Sequence, residues 1–256
     1  MTVPVGDPQL LRHDDGGVVT LTLNRPAQYN ALSEALLSAL KAELGAIARD
    51  ESVRCVVIAA AGKAFCAGHD LKEMRADPRL DYYRKLFAQC SDVMMAIVTL
   101  PVPVIARVQG VATAAGCQLV AACDLAIAAE GARFAVSGVN LGLFCSTPSV
   151  ALSRNISPKR AFDMLVTGRF IDAATAKDWG LINETVAEAA LDAAVAAKAA
   201  EIASKAPAAI RHGKAMFTRQ RQMPLVEAYA YAAEVMAENM MEAETCAGID
   251  AFIGKR

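Results

Sequence analysis

Few residues in this chain can do chemistry, and several of them offer main chain rather than side chain. Two tracts of small residues, Ala67-Gly68 and Ala114-Ala115-Gly116, leave the backbone bare enough for a ligand to approach closely, and Gly68 lets the chain turn. At a helix start, such a tract presents N–H groups and the positive end of the helix dipole to an anion or a developing oxyanion. The same tract also permits plain tight helix packing. His69 follows Gly68 directly, and an imidazole titrates near neutrality in its ordinary state. The seven cysteines, Cys55, Cys66, Cys90, Cys117, Cys123, Cys145 and Cys246, form no C-x-x-C pair and leave one over, which argues against a zinc ribbon and a disulfide framework. Cys66 and Cys117 read as small buried hydrophobes, because no base adjoins them. Cys145-Ser146-Thr147 precede Pro148, which is how an ordinary helix begins. Asp70 suits a helix cap, and no G-x-G-x-x-G follows the first strand, which disfavours a nucleotide-dependent dehydrogenase.

The elements that must position these residues are legible from periodicity. Val18 to Leu23 alternate as a strand does, and the Asp14-Asp15-Gly16-Gly17 turn before them predicts a hairpin with Leu10 to His13. Ser33 predicts a cap for a helix to about Asp50, since Leu36, Leu37, Leu40, Leu44 and Ile47 share one face. Val53 to Ala60, Val104 to Val108 and Asp124 to Ala128 read as strands with helical stretches between them, an α/β pattern. Pro158 opens a helix, Gly168 and Gly180 end helices, and Asp172 caps the short helix between them. After Val186 almost everything reads as alanine-rich amphipathic helix, with Pro207 and Pro224 as boundaries.

A formal charge of −1, from 26 basic and 27 acidic residues, provides no general field for nucleic acid or anionic lipid, so a phosphate-bearing ligand must be held locally. The apolar stretches stop well short of the roughly 20 residues that span a bilayer. Met1 to Gln9 resembles neither a signal nor a transit peptide, and the cytoplasm is the expected location.

Five stretches in order resemble the crotonase (enoyl-CoA hydratase/isomerase) superfamily. They are Leu23-Asn24-Arg25-Pro26 followed by Asn30-Ala31-Leu32; Ala64 through Gly68-His69-Asp70-Leu71; Pro101 to Gln109-Gly110; Ala114 to Cys117 leading to Cys123-Asp124; and Thr167-Gly168 with Gly180-Leu181-Ile182. The tracts Val111 to Asp124 and Gly138 to Leu152 are similar to the subgroup called enoyl-CoA hydratase domain-containing protein 3.

The resemblance implies a crotonase-like spiral of ββα units over residues 1–186. It also implies a helical region over 187–256, in the same structural domain, that builds a homotrimer or a dimer of trimers. It implies an acyl-CoA thioester as partner, with CoA arriving as part of the substrate and no separate cofactor or metal. The backbone N–H groups of His69 and Ala115 then form the oxyanion hole, and Ala115 departs from the family's usual glycine. Ala27, Gln28, Asn30, Ala67, Asp70, Leu71 and Lys72 fall where the family receives CoA, although Lys72 also reads as a solvated surface lysine. Phe252, Lys255 and Arg256 are similar to a last helix that reaches a neighbouring subunit's CoA. Gln118 and Gly138 stand where hydratases carry two glutamates around one water. A carboxamide has no useful pKa for taking a proton and glycine has no side chain, so ordinary hydration should be absent. The expectation is a protein of fatty acyl-CoA metabolism that stabilises a thioester enolate; the alternative is a non-catalytic acyl-CoA-binding or trimeric partner protein. Restoring both glutamates should then raise hydration.

Overall fold

A computed structural model describes residues 8–254. Met1 to Asp7, most of the stretch read for a leader, and Lys255 and Arg256 lie outside the described residues. β1 (Leu10–Asp15) and β2 (Val18–Leu23) form the expected antiparallel hairpin, with Leu10 opposite Leu23 and Asp15 opposite Val18. α1 (Glu34–Ile47) starts where predicted: Ser33 Oγ accepts the Leu36 N–H at 3.1 Å. Its face of Leu36, Leu37, Leu40, Leu44 and Ile47 is buried.

The chain then runs through β3 (Cys55–Ala60), β4 (Ala64–Cys66), α2 (Leu71–Ala76) and α3 (Leu80–Thr99). β5 (Val104–Val108), β6 (Val111–Thr113) and α4 (Ala115–Ala122) follow, then β7 (Leu125–Ala129), β8 (Arg133–Ala135) and, after a 3-10 turn over Ser137–Leu141, α5 (Ser146–Leu152). Each of these three turns is strand, strand, helix. The first strand of each joins a large sheet, ordered β1-β2-β3-β5-β7-β10, and the second joins a small sheet, ordered β4-β6-β8-β9. Within each turn series the strands are parallel: β3, β5 and β7 in one sheet, β4, β6 and β8 in the other. α6 (Pro158–Thr167), β9 (Ile171–Asp172), α7 (Ala173–Trp179) and β10 (Glu184–Val186) complete the core. Asp172 caps α7 by accepting the Thr175 N–H at 2.8 Å, and Gly168 and Gly180 end α6 and α7 in the left-handed region.

β3 is buried at every position because both faces of the large sheet are covered. Val56, Ile58 and Ala60 face the main core with α1 and α3, whereas Cys55, Val57 and Ala59 face α8 (Leu191–Ala203) through Leu191, Val195 and Ala199. α8 is therefore a layer of the core. α9 (Pro207–Gln220), α10 (Leu225–Met240) and α11 (Ala243–Ile253) follow. α9 is seated by Lys214, whose ammonium donates to the Ile97 and Val102 carbonyls and to Asp124 at 2.6 Å. α10 and α11 carry exposed Leu225, Val226, Tyr229, Met236, Phe252 and Ile253. Among the described residues no helix is long and apolar enough to cross a membrane.

Candidate functional site

The three parallel strands of the small sheet end side by side, and ligands of parallel sheets characteristically bind outside the carboxyl ends of the strands. β4 opens into residues 67–69, β6 into 114–116 and β8 into 136–138. The first two exits are pressed together. Gly68 sits at φ +94°, and a Cβ there would lie 2.9 Å from Ala114 Cβ and 3.3 Å from the Ala115 nitrogen. A Cβ on Gly116 would overlap the Cys66 carbonyl, so only glycine lets α4 approach β4 this closely. Ala114, at φ 50° and ψ −121°, holds a conformation that costs an alanine on the order of 1–3 kcal/mol, and it sets the plane of the peptide that carries the Ala115 N–H.

Two main-chain donors emerge at this junction. Leu32 forms a parallel bridge with His69, in which Leu32 N–H donates to Gly68 O at 2.8 Å and Asp70 N–H donates to Leu32 O at 3.3 Å. That pattern uses the neighbours of His69 and turns the His69 N–H to the opposite side. The Ala115 N–H belongs to the first turn of α4, where no preceding helical carbonyl exists to receive it and the helix dipole is positive.

The His69 imidazole does something different from the His69 N–H. It is largely buried, edge-on to Phe87 of α3 at 5.5 Å between ring centres, and the Leu32 backbone that adjoins the ring does not reach hydrogen-bonding geometry with either nitrogen. Burial pushes its pKa down to about 4, so the ring is neutral at ordinary pH.

The residues assigned to CoA divide into two groups. Ala27 and Gln28 are exposed on a 3-10 turn (Pro26–Gln28), and Leu71 and Lys72 are exposed at the start of α2. The Lys72 backbone N–H donates to Asp70 at 3.0 Å. Ala67 ties the two segments together, its N–H donating to Tyr29 O at 3.0 Å. Asn30, by contrast, is fully buried. Its Oδ1 accepts the Arg25 N–H at 2.8 Å and its Nδ2 donates to the Ala61 and Ala64 carbonyls, so the side chain is scaffold and has nothing left for a ligand. Any contact of Asn30 with CoA would therefore be through main chain. Asp70 is likewise committed: it caps α2 and pairs with Arg25 at 2.9 Å. Burial works to raise its pKa, but Arg25 and the Glu73 and Lys72 N–H groups bring it below the usual value. Sequence reasoning quoted Arg25 only as part of a motif and missed it as the clamp between the 25–32 loop and α2.

Gln118, on the second turn of α4, is 5% exposed, and its Oε1 has no hydrogen-bond partner. Gly138 has an ordinary φ but no room: a Cβ there would overlap the Leu143 carbonyl and lie 2.9 Å from Cys145 Sγ. The Cys66 and Cys117 thiols are buried and pushed up to about 12, as befits packing residues. α5 begins at Ser146 with Cys145 rather than a serine at the capping position, and the Cys145 side chain makes no cap bond. Among the described residues no cluster of His, Cys, Asp and Glu could hold a metal ion.

A family model described as enoyl-CoA hydratase/isomerase matches residues 13–256. A rat protein, mitochondrial enoyl-CoA hydratase domain-containing protein 3, is 43% identical over 255 residues, 99% of this chain and 85% of its own length. A crystal structure described as enoyl-CoA hydratase from Mycobacterium smegmatis superimposes with a TM-score of 0.96 at 60% identity, covering 98% of each chain. The crystal structure of the human domain-containing protein 3 superimposes with a TM-score of 0.94 at 41% identity, covering 97% of this chain and 98% of that one.

Proposed function

The chain belongs to the enoyl-CoA hydratase/isomerase family, and on that premise we propose that it binds an acyl-CoA thioester and stabilises the enolate of that thioester through the backbone N–H groups of His69 and Ala115. The observation that carries this reading is the junction of the β4 and β6 exits, where an atom built on Gly68 would lie 3.3 Å from the Ala115 nitrogen. Two preorganised N–H groups aimed at one oxygen act only on the charge that develops there, and removing one such donor elsewhere costs about 3–4 kcal/mol of barrier. The CoA moiety is assigned to the rim of exposed Ala27, Gln28, Leu71 and Lys72 and half-buried Ala67. Neither Gln118 nor Gly138 supplies an ionisable group, so hydration by a carboxylate pair is not the proposed reaction. The same two residues favour a second reading, an acyl-CoA-binding protein without turnover.

Calorimetry separates these readings. Butyryl-CoA should bind more tightly than CoA alone, and equal affinities would remove the donors from the account. Turnover of an acyl-CoA by the same preparation would then exclude the second reading.

The exposed apolar residues of α9 to α11 support a homotrimer or a dimer of trimers. Analytical ultracentrifugation should give three or six times the 27.0 kDa chain mass, and a stable monomer would refute the assembly. A cytoplasmic location is proposed because all seven cysteines are free thiols, which suits a reducing compartment.

A further inference from the structure

The end of β8 brings a thiol to the same edge as the two donors. β8 lies beside β6 with Ala135 opposite Thr113, the Ala114 N–H donates to Ala135 O at 3.0 Å, and the Thr113 and Ser137 hydroxyls meet at 2.8 Å. Gly138, one residue further on, donates its N–H to Cys145 Sγ at 3.3 Å. The sulfur occupies the space into which a side chain at 138 would grow. Leu143 N–H donates back to Gly138 O at 3.0 Å, which closes the loop around this contact and leaves Cys145 7% exposed. Cys117, in the first turn of α4, is near enough to feel the Cys145 sulfur electrostatically.

An independent observation at this place points to a ligand. Gln118 is three residues after Ala115, so the two share a face of α4, and helical side chains lean toward the helix N-terminus. Its amide is thereby aimed at the end of α4 where the Ala115 N–H emerges. The buried Oε1 has no partner there, an unfavourable arrangement that a group brought by a ligand would relieve.

We propose that Cys145 is the nucleophile for the β-carbon of an α,β-unsaturated acyl thioester whose carbonyl oxygen rests on the His69 and Ala115 N–H groups. The proposal builds on the donor reading above. Adjacent strands lie about 4.8 Å apart, so a thioester seated at the β4 and β6 exits extends its α- and β-carbons toward the exit of β8, where the sulfur is held. In the step, the S–H bond breaks and sulfur bonds to the β-carbon. The double-bond electrons pass to the carbonyl oxygen as an enolate, which the two N–H groups stabilise. Collapse of the enolate places the thiol's proton on the α-carbon. The product is a β-thioether of the saturated acyl-CoA, with no leaving group and no oxidant or reductant. Burial raises the Cys145 pKa while the Gly138 N–H draws it back. A thiol so placed yields little thiolate, but a more nucleophilic one, because intrinsic nucleophilicity rises with pKa. Capture is therefore slow, and the donors set its rate.

The full chain incubated with crotonyl-CoA should gain the mass of one crotonyl-CoA, mapped to the peptide containing Cys145, by intact-mass and peptide spectrometry. Cys145→Ser should lose the adduct, with Cys145→Ala as the second variant should the serine fail to fold. Cys246→Ser, at the exposed thiol, should keep the adduct. Butyryl-CoA binding without any adduct at Cys145, or an adduct confined to Cys246, overturns this inference and leaves the donor reading standing. Failure of butyryl-CoA to bind overturns the donor reading and this inference with it.

Discussion

At the strand ends, the part of the site built by β4 and β6 and the part built by the second turn of α4 and residues 137–145 are made of different materials. The first is main chain held by sterics: Gly68 against Ala114, Gly116 against the Cys66 carbonyl, and a strained Ala114 that turns one peptide plane. The second is side chain and loop: a neutral amide at 118, no side chain at 138, and a thiol folded into the gap. A functional group made of backbone can be lost only by moving a segment, whereas one made of side chains can be lost by a single substitution. The proposed oxyanion-stabilising part and the side-chain part of the site are therefore separable, and each can be attacked alone.

The harshest break falls on the main-chain part. Gly116→Val places carbon where the Cys66 carbonyl oxygen already lies, and no flexible side chain is available to yield. α4 must withdraw from β4, taking the Ala115 N–H with it. Butyryl-CoA binding should become undetectable by calorimetry, or the protein should fail to accumulate in soluble form. A soluble variant with wild-type affinity would mean that the junction contributes nothing to binding.

A milder break tests the side-chain part. The sequence alone suggests that Gln118→Glu with Gly138→Glu restores a hydratase, but the structure makes that outcome unattainable without rebuilding the loop. Any side chain at 138 collides with the Leu143 carbonyl and the Cys145 sulfur. The double variant should gain no crotonyl-CoA hydration, measured by loss of the enoyl absorbance, and Gly138→Glu alone should unfold at lower denaturant than Gln118→Glu alone. Overpacking of a tight site costs typically about 1–3 kcal/mol, and the buried carboxylate adds to it. Hydration rising in the double variant to tenfold or more above wild type, by the order of magnitude that a positioned acid or base supplies, would show that the loop yields and that the two parts are not independent.

How much of this was legible beforehand follows the length of each element. The hairpin, α1 with its Ser33 cap, β5 and the Asp172 cap announce themselves because five to fourteen residues carry an apolar pattern or a capping side chain. The small sheet carries no sequence signal for strands, since β4, β6 and β8 are three residues each, too short to show any alternation, yet they carry the candidate site. The donor positions came through resemblance, and the small-residue tracts supported them. The scaffold bonds of Asn30 are not announced by its place in a motif, because the Ala61 and Ala64 carbonyls that its amide holds lie on a later turn. The crowding at Gly138 was out of reach, because it depends on where the loop five to seven residues later returns.

His69 has a main-chain and a side-chain role at once: its N–H is a proposed donor and its ring is packed against Phe87. Well above pH 6.5 the ring is neutral in folded and unfolded chain alike, and it contributes no pH dependence. As pH falls, the unfolded chain takes up a proton that the folded chain resists until about 4. Stability therefore falls with pH across that window, by roughly 3 kcal/mol at its lower end on the full difference in pKa and less to the extent that water reaches the ring. His69→Leu keeps the N–H, removes the titration and relieves two unpartnered ring nitrogens. Urea unfolding at pH 7.5 should show the variant within about 1 kcal/mol of wild type, on either side. Between pH 6.5 and 4.5 the wild type should lose stability faster than the variant, and the gap between them should widen as pH drops. Affinity for butyryl-CoA at pH 7.5 should stay near wild type, since the donor is main chain. Parallel stability profiles would show that the ring is solvated after all. A collapse of butyryl-CoA affinity in a stable His69→Leu protein would show that the imidazole, and not only the backbone beside it, belongs to the binding site.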